Sequence, residues 1–85
     1  MNEELMRELH LVLGRLNGVH AALVVIAGSL PPSAALAAAA QLREGTERVH
    51  ADALALPLAD VQISEMHRVM RELTMVLETA GQAPQ

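Results

Sequence analysis

The chain has no cysteine and no aromatic residue, and each absence removes a class of function. Without cysteine there is no disulfide framework, no thiolate zinc site and no thiol nucleophile, a usage that fits a reducing cytoplasm. Without Phe, Tyr or Trp there are no large ring anchors for a core or interface. Flat platforms for stacking single-stranded bases are missing as well. Lysine is also absent: all six basic residues are arginine, which with the alanine-rich stretches suggests a GC-rich bacterial or phage genome. Ten acidic residues against six basic ones leave a net charge of −4. That is the wrong sign for a nucleic-acid binder, whose affinity rests on neutralising phosphates.

Long apolar runs are scarce. The longest low-polarity stretch, Val19 to Leu30, is 12 residues and contains His20, whereas a membrane span needs about 20 residues. The chain opens Asn2-Glu3-Glu4, and a secretory signal opens on positive charge. The expectation is a soluble, cytoplasmic protein with no membrane partner. Eighty-five residues form one domain at most, and a domain this small is marginal unless stapled or oligomeric.

What the chain does have is helical periodicity. Leu5, Leu9, Val12, Leu16, Val19, Leu23, Ile26 and Leu30 alternate spacings of four and three, which keeps them on one stripe of a helix. Asn2 is a good N-cap for that helix, and Glu3 and Glu4 suit the positive end of its dipole. Gly28-Ser29 and Pro31-Pro32 stop it. A second helix, capped by Ser33, runs to about Leu56 with Ala35, Ala39, Leu42, Thr46, Val49, Ala53 and Leu56 on its core face. Asp60 caps a third, which turns Ile63, Met66, Met70, Leu73 and Leu77 inward, widened by Val69 and Val76. Predicted bounds are 2–29, 32–56 and 60–80, with no strand. The short connections predict an all-α, antiparallel, up-down-up three-helix unit over 1–81, followed by a loose tail at 82–85. Leu16, Leu23, Leu42, Val49, Met70 and Leu73 are its predicted shared core.

Opposite the first stripe lies a smooth second face: Leu11, Gly14, Gly18, Ala21, Ala22, Val25 and Gly28. Small residues four apart let helix backbones approach closely. With the stripe buried against helices 2 and 3, this face would be wet in a monomer, so it is the predicted interface of an obligate homodimer.

Candidate chemistry is sparse. Glu47-x-x-His50 has the spacing that puts two metal ligands on one side of a helix, as in di-iron carboxylate bundles. Such a site needs an inward carboxylate from another helix; helix 1 offers only Glu3, Glu4 and Glu8, and Glu65 points away from the core face of helix 3. The expectation is therefore no metal and no cofactor. His20 and His67 flank core stripes, where a histidine packs its ring and hydrogen-bonds at the edge; a pH-sensitive interface is the sharper reading. No nucleophile elbow and no glycine-rich phosphate loop is present, and the chain reads as non-enzymatic. The sequence thus points to a small helical protein–protein interaction module, an adaptor, regulator or accessory factor, acting on another protein as a homodimer. Two alternatives stand beside it. One is a metal-binding bundle using Glu47 and His50. The other is a dimeric nucleic-acid regulator gathering Arg43, Arg48, Arg68 or Arg71.

Overall fold

A computed structural model describes residues 2–82 and shows three helices: α1 (Glu3–Gly28), α2 (Pro32–Leu54) and α3 (Asp60–Gly81). No strand occurs among the described residues. The expected tail beyond Gln82 lies outside them.

The helix ends follow local chemistry, with two changes of cap. Asn2 caps α1 as expected, its side chain accepting from the Leu5 backbone N–H at 2.7 Å. At α2 the cap is Pro31 rather than Ser33, and Pro32 takes the first helical position. Proline suits that position because its fixed φ is helical and its missing N–H would have had no partner. At α3 the cap is Ala59 rather than Asp60; the Gln62 side chain accepts from the Ala59 N–H at 3.0 Å. Asp60 becomes the first helical residue, where its charge still favours the dipole. The second helix ends at Leu54, so Leu56 falls in the turn and is exposed rather than packed.

α2 and α3 form an antiparallel hairpin: Arg43 meets Glu78 at one level and His50 meets His67 at another. The alanine face of α2 is what lets them close. Ala35, Ala39 and Ala53 are buried, with Ala35 at 0% exposure. α3 answers with Ile63, Thr74 and Leu77, also buried, while Leu42, Val49, Met70 and Leu73 are half-buried. Thr46 and Thr74 lie in this seam with their hydroxyls donated to the carbonyls of Leu42 and Met70 one turn back, so neither is an unpaired buried donor. Gly81 ends α3 beneath Leu36, whose Cδ2 and Cγ would lie 2.5 and 2.6 Å from a Cβ added there.

α1 departs most from expectation. It leans mainly on α3 and touches α2 only slightly, and does so near its C-terminal end: Ala27 packs with Leu77 of α3 and Ala39 of α2, and His20 approaches Glu72. The side it turns to α3 carries His20, Val24 and Ala27, a flank of the helix rather than its leucine stripe. From Glu3 to Val19 every residue but Met6 is exposed. Leu16 and Leu23, expected in the shared core, are 60% and 45% exposed, and of the whole stripe only Leu30 is half-buried. Met66 is exposed too.

The three helices therefore make one layer, 53 × 29 × 12 Å. Its radius of gyration is 15.7 Å, against about 12 Å for a compact chain of this length. Among the described residues the buried set holds two large apolar side chains, Ile63 and Leu77, beside four alanines and two threonines.

Candidate functional site

The feature that stands out is the open surface of α1. A 26-residue helix is about 39 Å long at 1.5 Å per residue. Nearly all of that length carries exposed branched side chains: Leu5, Leu9, Val12, Leu16, Val19 and Ile26 on the stripe, Leu11 and Val25 on the opposite side. The seven residues of the predicted interface, Leu11, Gly14, Gly18, Ala21, Ala22, Val25 and Gly28, are all exposed, and no element among the described residues covers them. A Cβ placed on Gly14, Gly18 or Gly28 would meet nothing within 4 Å. Close packing of these glycines on the alanine face of α2 is thus not what the fold uses them for; that alanine face is spent on the hairpin.

The expected contrast between a buried stripe and a wet glycine face is not found. Both are wet, because α3 takes the flank between them. Periodicity along α1 marks the stripe as a single apolar face, but carries no signal about what, if anything, covers it.

Total exposure measures the same deficit. A compact monomer of 9.1 kDa exposes about 4,900 Å². This chain exposes 6472 Å², an excess of about 1,600 Å², when a standard interface takes only about 800 Å² from each partner.

α1 is also the one helix, among the described residues, long and apolar enough by length and composition to cross a membrane. Arg15, Asn17 and His20 sit in the middle of that helix. An arginine at the centre of a spanning helix costs about 2.5–3.5 kcal/mol on insertion scales.

The remaining surface is ordinary in its electrostatics. Arg68 bridges Glu65 and Glu72 on the wet face of α3, Arg48 reaches Glu44 at 3.5 Å, and Arg43 pairs with Glu78 across the hairpin. Hydrogen bonds donated by Arg68, the largest effect, hold the Glu65 carboxyl below its ordinary 4.5. Three of the four arginines considered for a nucleic-acid patch are therefore matched by carboxylates, and Arg71 lines a groove shared with Glu47 and Glu78.

The Glu47/His50 pair does not converge as a ligand set. Glu47 opens onto that groove of about 390 Å³, together with Arg43 and Arg71. His50 turns instead toward α3, where its ring centre lies 5.0 Å from that of His67. Both rings line a cavity of about 10 Å³ with Met66 and Met70. Among the described residues no three His, Asp or Glu side chains come together in metal-binding geometry. His67 is half-buried at the edge its spacing suggested: its ring packs on His50 and also lines the open groove beside Glu47 and Arg71. His20 fits the edge description, with Nε2 3.6 Å from a Glu72 carboxylate oxygen.

No family model, curated protein or solved structure matches this chain.

Proposed function

We propose that this protein is an assembly module: it binds a second copy of itself through the open stripe of α1, and acts by association with another protein rather than by catalysis. One observation carries the reading, namely a single layer of helices whose longest member leaves its apolar stripe uncovered. Domains are built from two or three packed layers around a shared core. This chain supplies one layer, and an identical copy related by a two-fold axis supplies the other.

The stripe suits that partner. Its alternating spacings of four and three average 3.5 residues, the repeat that lets two helices wind about each other and keep one seam in contact. Covering about 400 Å² of apolar surface on each partner is worth about 20 kcal/mol gross at 25 cal/mol/Å². Lost translational and rotational freedom takes back about 4–15 kcal/mol, so a surplus remains. A lipid surface fits less well. A span buries Arg15, and a helix lying on anionic headgroups wants a basic polar face, whereas Glu3, Glu4 and Glu8 outnumber Arg7 and Arg15.

The seam is placed on the stripe rather than on the glycine face for one reason: the stripe holds the larger side chains, and the fold leaves them open. Two charge insertions distinguish the faces. Val19→Glu, on the stripe, is expected to give monomer or unfolded chain by light scattering, because it buries an unpaired charge. Val25→Glu, on the glycine side, is expected to leave the assembly intact. The reverse pattern moves the seam to Leu11, Gly14, Gly18 and Val25; no effect from either removes α1 from the interface.

A further inference from the structure

We propose that the α2/α3 hairpin holds one monovalent copper ion between His50 and His67, with the thioethers of Met66 and Met70 as its softer donors. Spacing along the chain pairs His50 with Glu47, but the fold pairs it with His67, and the chemistry changes with the partner. The two imidazoles face each other from opposite helices, ring centres 5.0 Å apart and planes tilted by 58°. Two imidazoles on one tetrahedral metal, with metal–nitrogen bonds of about 2.0–2.1 Å, place their ring centres about 5 Å apart. The cavity they share, about 10 Å³, has room for a single small occupant. Its remaining wall is largely apolar, from Val49, Ala53 and Ile63. The Nδ1 atom of His50 is buried and has no hydrogen-bond partner among the described residues. A buried polar nitrogen without a partner is costly, and a bound ion would satisfy it.

The donor set selects the ion. No third histidine or carboxylate converges on the pair among the described residues, and the chain has no thiol. The donors that share the cavity are Met66 and Met70, one helical turn apart on α3, with His67 beside them. Thioether with imidazole is a soft, uncharged set. It suits copper(I) and is a poor match for zinc, iron or magnesium, which favour thiolate, imidazole or oxygen ligands. Charge points the same way: the solvation lost on burial grows steeply with ionic charge, so a neutral site in an apolar wall favours a singly charged ion.

The test is an anaerobic titration of the full chain with copper(I) against bicinchoninate as the coloured competitor. The wild type is expected to withdraw one equivalent per chain, while zinc(II) at the same concentration does not displace it. His50→Ala and His67→Ala are each expected to weaken binding at least about 100-fold. Met66→Leu with Met70→Leu, near-isosteric changes that keep the hairpin folded by circular dichroism, are expected to weaken it at least about 10-fold and to remove sulfur scattering from the copper X-ray absorption spectrum. Should either histidine variant fail to fold, the methionine pair decides alone. Copper left with the competitor, displacement by zinc, or affinity indifferent to the methionine pair overturns the proposal.

Discussion

Replacing Gly14 and Gly18 by alanine, with Gly45 as internal control, asks which side of α1 the proposed second copy would cover. All three lie inside helices, and a Cβ at any of them meets nothing within 4 Å in the single chain. Glycine inside a helix costs about 0.8–1.0 kcal/mol relative to alanine, so Gly45→Ala is expected to stabilise by that amount. For a domain of this size the gain is a rise of about 4–8 °C in Tm. If the seam is the leucine stripe, Gly14 and Gly18 stay in solvent after assembly, and Gly14→Ala and Gly18→Ala raise Tm by a similar step. If instead backbones meet at the glycines, each new methyl intrudes into the seam, and overpacking costs about 1–3 kcal/mol. The sign of the change is the result. Thermal unfolding followed by circular dichroism at fixed protein concentration measures it. A loss at Gly14 and Gly18 beside a gain at Gly45 would refute the stripe assignment, and a loss at all three would refute the helix-interior argument itself.

Other consequences follow from single contacts. Gly81→Ala is expected to lower stability by about 0.5–1.5 kcal/mol, since the new Cβ drives Leu36 from its rotamer; Leu36→Ala in the same chain should relieve most of that loss in urea titrations. Glu65 should titrate below 4.5 by NMR, and Arg68→Ala should return it to the ordinary carboxylate range. Its folded pKa is depressed, so its small contribution to stability is present above the unfolded value and fades as pH falls through the folded one. Both groups are exposed, so added salt should shrink the shift.

Helix content and ends were largely legible because they depend on neighbours in sequence. Asn2 before two glutamates, one proline pair after Gly28 and a glycine at 81 mark termini through backbone chemistry alone. The caps that differed, Pro31 for Ser33 and Ala59 for Asp60, differ by one or two residues, because proline can occupy a first turn and Gln62 can reach back to an N–H. The hairpin seam was legible too, since Ala35, Ala39, Ala53, Ile63 and Leu77 keep the helical period and close packing follows from alanine's small size. Thr74 was missed: its hydroxyl is satisfied by its own helix, so it buries without a partner that spacing could reveal. The destination of the α1 stripe was not legible, for the same physical reason that periodicity works at all. Period reports that a face wants burial, and any apolar surface satisfies it, within the chain or on a second copy. The meeting of His50 with His67 depends on the register between two helices, which no pattern within either helix encodes.

If the single layer is half of the folded unit, as proposed, sedimentation equilibrium of the wild-type chain at micromolar concentration will show it. The expected result is one species at twice 9.1 kDa, with unfolding that shifts to higher temperature as protein concentration rises. A species at 9.1 kDa that is fully folded, with unfolding independent of concentration, would contradict it.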